Sequence, residues 1–370
     1  MIRKLLVIAA VLCATIAMAT TFPTTFMSGK STQLIAQTNY LLGSLGSGDS
    51  LTQAGTPTYF NSSGNLTTIG AANTARFDYN PNTLAARGWL VESSVVNGYF
   101  PSNSTPTSLG NVTITLSSTT GIDGTSSANT VTATSGSHQS LFYNLPYPTT
   151  AAANQTQSFY LKKGTWNFAY LEYSDWAVGN TWVGVVVNLN TGAITQTTTD
   201  GVTGVYVSSS VTAVNNGLYR VTFTGTLAVT SSYFILQFAP AATGNTFQSS
   251  TGYINSSSWA GTETMFYTAG QSEKQSFATS YIHTTSSETT RAADTAANGA
   301  WSTDYLMVEY ELESAPGTIS RASYCASGCT ATSFSPSNIW IRRICLFNAT
   351  AGGATAAQTA AGQANGTACS

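Results

Sequence analysis

The sequence predicts an all-β protein built around an antiparallel jelly-roll or β-sandwich. Between residues 110 and 274, short segments rich in β-branched and aromatic residues follow one another, such as WVGVVVNLN and LYRVTFTGTLAV. Gly, Pro, Asn and Ser separate these segments, and no helical pattern lies between them. Many strands without intervening helices favour two stacked antiparallel sheets.

Two turns within this region have recognisable chemistry. Asn215-Asn216-Gly217 stands between two strand-like segments, and Asn and Gly tolerate the positive φ that a tight hairpin requires. The segment NLNTGAITQ, residues 188–196, predicts a second turn of the same kind. A region of about 165 residues is long enough for one sandwich with an apolar core.

The first nineteen residues have the pattern of a secretory signal. Arg3 and Lys4 precede the apolar run LLVIAAVLCATIAMA, whose small residues at its end predict cleavage after Ala19. A membrane anchor is the alternative, but a span needs about 20 apolar residues and this run is shorter. We therefore expect a secreted protein, extracellular or at the cell surface, with no stable membrane span.

Charge is scarce in this chain. It has 13 basic and 15 acidic residues, so removal of Arg3 and Lys4 leaves 11 against 15, a net charge of about −4. Charged residues make up only 8% of the chain, against about 25% in a typical protein. No basic patch is available to attract a phosphate backbone, so nucleic acid is not an expected partner. A surface of Ser, Thr, Asn and Gln suits contact with proteins or glycans.

Four cysteines remain after the signal: Cys325, Cys329, Cys345 and Cys369. In an exported protein this even number predicts two disulfides, for which three pairings exist. A zinc site is the alternative, but C-x3-C followed by isolated cysteines fits zinc spacing poorly. We favour Cys325–Cys329 with Cys345–Cys369.

Residues 20–50 predict an extended arm that contains one apolar patch. The patch lies between Ser/Thr/Gly-rich flanks and consists of Leu34, Ile35, Tyr40, Leu41, Leu42 and Leu45. Burying each large aliphatic side chain is worth roughly 1.5–3 kcal/mol, so the patch favours a buried position. Either it packs into a neighbouring copy and connects subunits, which we expect, or it folds back on its own sandwich.

Several motifs resemble those of tailed-phage tail and virion structural proteins. They are RFDY (76–79), GWLVE (88–92), GLYR (217–220), and FATSYI with TRAAD in the segment 276–296. The resemblance implies a carbohydrate-binding-module-like jelly roll followed by a joint and a lectin-like C-terminal part, of which NIWIRRICLFN would be the last strand. It also implies a structural and adhesive role. Because a secretory signal is unusual for a virion protein, we expect an exported cellular relative.

These features divide the chain into five parts. They are the signal (1–19), the arm (20–50), lead-in strands (51–100), the jelly roll (101–285), and a linker with a lectin-like remnant that holds the four cysteines (286–370).

For sugar binding, the strongest candidates are Tyr170, Asp175, Trp176 and Asn180 in YLEYSDWAVGNTW. Strand alternation places Tyr170 on one face with Glu172, and Leu171 and Tyr173 on the other, so we expect the Tyr170 ring to be exposed. Trp176 lies among turn residues and is the favoured exposed aromatic residue. The alternative is that these aromatic side chains fill the sandwich core.

No enzymatic activity is predicted. The chain has two histidines, His138 and His283, and no G-x-S-x-G motif. The carboxylates Glu172, Glu309 and Glu311 are expected at the surface rather than across a cleft. We expect no cofactor. A structural calcium ion could bind in a sandwich loop, although no D-x-D-x-D pattern marks such a site.

Asn-X-Ser/Thr triplets provide candidate glycosylation sites, although abundant Ser and Thr make such triplets frequent by chance. They are Asn61, Asn65, Asn103, Asn111, Asn154, Asn255, Asn348 and Asn365.

Together these observations predict a non-enzymatic secreted structural protein. We expect it to self-assemble as a helical homo-oligomeric polymer, an extracellular filament or surface appendage, through exchange of strands or arms. The alternative is a carbohydrate-binding adhesin, or a phage tail or virion structural protein that recognises surface glycans.

Overall fold

The structure is a computed structural model of the chain. It describes residues 32–45, 49–53, 55, 57–103, 108–110, 112–134, 140–144, 153–175, 181–200, 203–227, 233–239, 260–298, 305–325, 332–334 and 338–349. The predicted signal, Cys329 and Cys369 lie outside these residues. None of the helices within them is long and apolar enough to cross a membrane.

The elements fall into three groups along the chain. The first group precedes the sandwich: β1 (Thr32–Asn39), the 3-10 helix η1 (Tyr40–Leu42), β2 (Ser50–Thr52), β3 (Thr58–Phe60), β4 (Leu66–Thr68), β5 (Arg76–Tyr79), β6 (Ala86–Val91) and β7 (Val95–Asn97). The second group forms the sandwich: β8 (Ser108–Gly110), β9 (Val112–Thr119), β10 (Ala128–Ala133), β11 (Ser140–Asn144), β12 (Gln155–Lys163), β13 (Phe168–Asp175), β14 (Thr181–Asn188), β15 (Ala193–Thr199), β16 (Val205–Ala213), the 3-10 turn η2 (Asn215–Gly217), β17 (Tyr219–Thr226), β18 (Tyr233–Ala239) and β19 (Thr264–Glu273). The third group follows it: β20 (Thr289–Arg291), β21 (Thr295–Asn298), β22 (Tyr305–Leu312), β23 (Ala315–Cys325), β24 (Thr332–Phe334) and β25 (Ile339–Ala349).

The predicted antiparallel sandwich is confirmed. One sheet has the order β16-β17-β12-β19-β10-β9 and the other β15-β14-β13-β18-β11-β8. Alternate residues of each strand point inward, so Phe159 and Leu161 of β12 meet Leu171 and Tyr173 of β13 in one apolar core. Both predicted turns are also confirmed, because β16 joins β17 through η2 and β14 joins β15 near Gly192.

A third sheet, called here the flanking sheet, combines strands from both ends of the chain. Its order is β23-β22-β25-β6-β5, and β1 pairs with β25 beside β6. Its core contains Tyr40, Trp89, Val308 and Ile344. The hydrogen-bonded sheet therefore joins parts of the arm, the lead-in region 51–100 and the C-terminal region 286–370, which sequence analysis treated as separate. The sandwich lies between them in the chain, and smaller pairs such as β7 with β20 continue this connection.

The flanking sheet restricts the disulfide pairing. In β22, Leu306 pairs with Cys325 of β23 on one side, and Met307 pairs with Cys345 of β25 on the other. The two cysteine positions are thus separated by two strand spacings, about 10 Å, whereas a disulfide needs Cα atoms closer than about 7 Å. This excludes a Cys325–Cys345 bond in this fold and leaves two of the three pairings, including the favoured one.

Gly88 of the GWLVE motif allows β6 to approach β25 closely. Its φ is +118°, and a Cβ placed there would lie 2.3 Å from the Ile341 carbonyl oxygen. Only glycine adopts this conformation readily, and only glycine leaves room for the neighbouring backbone.

We expect Gly88→Ala to destabilise the protein by about 3 kcal/mol or more, because it adds backbone strain and a collision with main-chain atoms. Urea unfolding monitored by tryptophan fluorescence measures the effect. Gly70→Ala is the matched control, since a Cβ at Gly70 meets no atom within 4 Å. Equal unfolding midpoints for the two variants would contradict this account of the motif glycine.

Candidate functional site

A fully buried guanidinium lies between the flanking sheet and residues 276–296, called here the joint. Arg76 of β5 forms ion pairs with Glu92 and Asp294. Its Nη1 also donates to the Thr58 carbonyl at 3.1 Å and to Ser280 Oγ at 3.2 Å. Burial disfavours the cation, but the two carboxylates outweigh it and raise the pKa of Arg76 above its ordinary value.

Glu92, which follows β6, is the centre of this ionic network. Its Oε1 accepts hydrogen bonds from Arg291 Nη1 at 2.9 Å and from the Ser280 backbone N–H at 2.8 Å. Its Oε2 accepts from Ser280 Oγ at 2.7 Å, and its backbone N–H donates to Asp294 Oδ2 at 2.9 Å. Burial favours the neutral acid, but the charges of Arg291 and Arg76 lower the pKa of Glu92 to about 2. We call Arg76, Glu92, Ser280, Arg291 and Asp294 the clamp.

The clamp continues into the sandwich through Glu273, the last residue of β19. The Glu273 carboxylate accepts from the Thr279 backbone N–H at 3.0 Å and from Thr279 Oγ1 at 2.5 Å. Arg291 Nη1 donates to Thr279 Oγ1 at 3.1 Å, and Arg220 Nη2 of β17 donates to the Thr279 carbonyl at 2.5 Å. One continuous polar network therefore links the sandwich, the joint and the flanking sheet.

The motifs that sequence analysis singled out meet in this network. RFDY supplies Arg76, GWLVE supplies Glu92, TRAAD supplies Arg291 and Asp294, and GLYR supplies Arg220. Their common role in this structure is to fix the two β units against each other. The joint is accordingly an ordered, hydrogen-bonded connection between them.

An open cleft of about 820 Å³ lies beside the clamp. The outer face of β16 and β17 forms one wall, with hydroxyls at Ser208, Ser210 and Thr212. The flanking sheet forms the other wall, and joint residues including Phe277 lie between the two. The volume is in the range of about 300–1,000 Å³ that is usual for small-molecule sites.

Arg87 and Trp340 form the central pair of the flanking wall. The Arg87 guanidinium lies over the Trp340 ring, 4.4 Å from its centroid. Trp340 Nε1 donates to Asp78 Oδ2 at 2.8 Å, and the Phe60 backbone N–H donates to Asp78 Oδ1 at 2.7 Å. Burial raises the pKa of Asp78 to about 6, although the nearby Arg87 charge acts in the opposite direction.

Two more carboxylates line this wall. Glu311 Oε1 accepts from the Gly317 backbone N–H at 2.7 Å, and Glu311 Oε2 lies 3.3 Å from Arg342 Nη1. Burial, together with the Glu92 carboxylate, raises the pKa of Glu313 well above its usual range. The carboxylate oxygens of Asp78 and Glu311 thus already have hydrogen-bond partners within the protein.

The predicted sugar-binding residues lie elsewhere. Tyr170 of β13 does point away from the sandwich core, as alternation predicted, but it is buried, so the prediction of an exposed ring was wrong. The outer face of this sheet is covered as well, and Tyr170 packs with Phe168 and Val186. The Asp175 side chain, Trp176 and Asn180 are outside the described part of the chain, so the sugar-binding role predicted for them stays a prediction.

The carboxylates expected at the surface are buried, which corrects a second prediction. Glu172 accepts a hydrogen bond from Tyr170 Oη at 2.5 Å beneath the outer cover of its sheet. Glu309 and Glu311 are buried on β22, where the neighbouring β25 supplies Arg342 and Arg343 as ion-pair partners.

The arm is divided by the structure. Leu34 and Ile35 lie in β1, which pairs with β25 of the same chain. Tyr40 is buried against Trp89, with ring centroids 5.4 Å apart, and its hydroxyl donates to Asp49 at 2.7 Å. Leu41 and Leu45 are half-buried, whereas Leu42 is exposed. Tyr40 therefore folds back on its own chain, but it packs into the core of the flanking sheet and not on the sandwich, where the alternative placed it.

Some of the candidate glycosylation sites lie in the described part of the chain. The side-chain amides of Asn61 and Asn103 donate hydrogen bonds within the chain, to Thr67 Oγ1 and the Ser127 carbonyl. Two others, Asn65 and Asn154, are half-buried. The backbone of Asn348 lies in β25, while Asn111, Asn255 and Asn365 are outside the described residues. His283 is exposed, and His138 is also outside the described residues.

The cleft residues Arg87, Trp340 and Arg342 were not predicted from the sequence. Their signal was present: Arg87 immediately precedes GWLVE, and the other two lie in NIWIRRICLFN. The two segments come together because β6 pairs with β25, with Leu90 opposite Trp340. Neither segment alone indicates this pairing.

Comparison with known proteins gives no relative. No protein-family model matches the chain, and no curated protein matches it. Among the described residues, no group of three or more His, Cys, Asp or Glu side chains is arranged to hold a metal ion.

We expect Arg76→Met to destabilise the protein by about 3–5 kcal/mol, because Glu92 and Asp294 would lose their shared cation while still buried. Denaturant unfolding measures the loss. Lys163→Met, which removes an exposed cation that contacts only Asn190 in the described structure, is the control and should leave the midpoint unchanged. A midpoint for Arg76→Met that equals the control would show that the clamp carries no stability.

The Glu172 carboxyl predicts a separate pH dependence. Burial raises the pKa of Glu172 to about 7 from an ordinary value of 4.5, so the folded state holds a proton that the unfolded state releases above pH 4.5. Its stabilising contribution is full below pH 4.5 and decreases by about 3 kcal/mol as the pH rises to 7. Glu172→Gln should abolish this decrease when unfolding free energy is measured from pH 4.5 to 7.5, whereas an unchanged profile would contradict the assignment.

Proposed function

We propose that this chain is a non-enzymatic, exported structural protein that assembles with copies of itself by passing β1 to a neighbour. The observation that carries the proposal is the position of β1. It is an eight-residue strand at the N-terminal end of the described chain, and within the described residues its ladder connects it to β25 alone. A strand held in this way can form the same ladder with β25 of another copy, as in domain swapping.

The exchangeable segment ends at Asn39. Tyr40 follows directly and is fixed in the core of its own flanking sheet by Trp89 and Asp49. The chain therefore has an anchor immediately after the strand, which would keep two exchanged subunits close together. The segment proposed to move is thus shorter than the whole arm 20–50.

A second edge favours association between copies. β16 is the outermost strand of its sheet in the described structure, and its nine residues include no charged side chain. Val205 and Val207 on this strand are 55% and 44% exposed. Natural sheets commonly place charges on such edges to prevent pairing with other chains, and β16 has none.

The secretory pattern and the motifs resembling virion proteins also support an assembly role. The clamp would help to hold each subunit as one rigid unit, because buried ion pairs join the flanking sheet to the joint. Thr279 of the joint is in turn hydrogen-bonded to Glu273 and Arg220 of the sandwich. A rigid subunit transmits the geometry of one contact to the next, which a regular polymer requires.

A cysteine cross-link between β1 and β25 tests the exchange. Gln33 and Asn348 are directly paired in the ladder, and paired residues have Cα atoms about 4.5–5.5 Å apart, within disulfide range. We expect chains with Gln33→Cys and chains with Asn348→Cys, produced separately, mixed under assembly conditions and oxidised, to form a disulfide-linked heterodimer on non-reducing gels.

Two controls make the result decisive. Pairing Gln33→Cys with Ser286→Cys, an exposed position outside both the ladder and the β16 edge, should give no heterodimer above background. A chain that carries both ladder cysteines reports the pairing within one molecule. If that chain forms only an internal bond and the mixed chains form no heterodimer, the arm exchange does not occur.

A second candidate function is saccharide binding, favoured by the cleft. Its hydroxyl-lined wall, its half-buried ring of Phe277 and its guanidinium groups are the side-chain types that hold sugar rings and sugar hydroxyls. An assembled surface protein would then also act as an adhesin.

A further inference from the structure

The cleft contains an arginine whose hydrogen-bonding capacity is unused. Arg87 is half-buried in the flanking wall and lies over Trp340. Within the described residues, its guanidinium forms no hydrogen bond and no ion pair at contact distance. A guanidinium offers five N–H donors in a planar fork that matches a carboxylate, and stacking on an indole ring leaves the edge of that fork accessible.

The carboxylates nearby do not take up this capacity. Asp78 already accepts from Trp340 Nε1 and from the Phe60 backbone N–H, one donor for each oxygen. Glu311 accepts from Gly317 and lies within hydrogen-bond distance of Arg342. The oxygens of Asp78 and Glu311 are therefore engaged, and the unbonded Oε2 of Glu313 is buried. A cationic donor remains available in this wall, which favours a ligand that brings an anionic acceptor.

The opposite wall indicates the rest of the ligand. Ser208, Ser210 and Thr212 project from the outer face of β16 and are exposed. Ser210 and Thr222 share a hydrogen bond of 2.6 Å, so β16 offers hydroxyl donors and acceptors without formal charge, while Arg220 of β17 also lines the cleft. Such a surface suits the hydroxyl groups of a sugar better than the side chains of an acidic peptide.

We infer that the cleft binds a saccharide that carries a carboxylate, with Arg87 receiving the carboxylate and the β16 hydroxyls contacting the sugar hydroxyls. This inference rests on the saccharide-binding function proposed above and names its ligand class. It predicts selectivity between acidic and neutral forms of the same sugar, because only the acidic form makes a charge-assisted bidentate contact.

Calorimetric titration of the full mature chain with α-1,4-linked tetragalacturonate tests the inference. We expect its fully methyl-esterified form to bind at least tenfold more weakly, and Arg87→Gln to weaken the acid by at least tenfold while leaving the ester unchanged. Arg87→Lys keeps the charge without the planar fork and should recover only part of the loss. Lys163→Gln removes one positive charge outside the cleft and should bind like the parent.

A variant on the opposite wall provides a second test that remains valid if the Arg87 variants do not fold. Ser208→Asp adds an anion to an exposed position in the cleft and should weaken the acid more than the ester. Ser286→Asp, on an exposed part of the joint that does not line the cleft, is its control. Thermal unfolding of each variant confirms that it is folded.

The outcomes separate the two proposals. Equal binding of acid and ester would overturn the carboxylate assignment and leave saccharide binding in place. Binding of tetraglutamate as tightly as tetragalacturonate would overturn the saccharide assignment. No binding of either sugar would overturn both, and unchanged affinity in Arg87→Gln would remove Arg87 from the site.

Discussion

The ion pairs of Arg76 with Glu92 and Asp294 fix the joint to the flanking sheet. Hydrogen bonds of Thr279 with Glu273 and Arg220 continue this connection from the joint to the sandwich, which has a separate apolar core. The sandwich core and the flanking-sheet core share no residue. A smaller apolar cluster packs Tyr160 of the sandwich against Tyr281 of the joint and Phe60 of β3, and it contributes to their relative position. The clamp adds a polar constraint, because its charges come from β5, from the end of β6 and from the joint, and Thr279 links the joint to the sandwich. Once buried, each charge depends on the others, since removing one partner leaves the rest without compensation.

The order of segments along the chain makes such a constraint necessary. The sandwich is inserted between β7 and β20, which pair with each other, so the chain leaves the flanking unit and returns to it at nearly one place. Asn97 at the end of β7 donates to the Gly270 and Ile282 carbonyls at 3.2 and 2.8 Å, which ties the exit to the return. The cleft exists because these contacts hold the β16–β17 face opposite Arg87 and Trp340.

The sequence predicted what depends on local pattern. Alternation identified the sandwich strands and correctly placed Tyr170 opposite Leu171, and Asn216 and Gly217 marked the hairpin. It did not predict that Tyr170 and Glu172 are buried. The alternation within one strand shows which side chains share a face, but it does not show whether other parts of the fold cover that face. Nor did the sequence predict the flanking sheet, in which the pairings of β1 and β6 with β25 join residues more than 200 positions apart, as in Leu90 with Trp340. The motifs that contain the clamp residues could be recognised in the sequence. That these residues form one ionic network could not, because the fold alone brings the motifs together.

The scarcity of charge acquires a structural meaning from this arrangement. At least nine of the 28 charged residues are buried, including the four charged residues of the clamp together with Glu172, Glu273 and Glu309. The chain thus uses a large share of its few charges to specify internal geometry, and its outer strands present mainly hydroxyls, amides and scattered apolar groups. Such a surface loses little hydration energy when another β surface or a sugar covers it, because no ion has to be removed from water. Against this neutral background, Arg87 stands out in the cleft, because within the described residues its guanidinium stacks on Trp340 and forms no hydrogen bond.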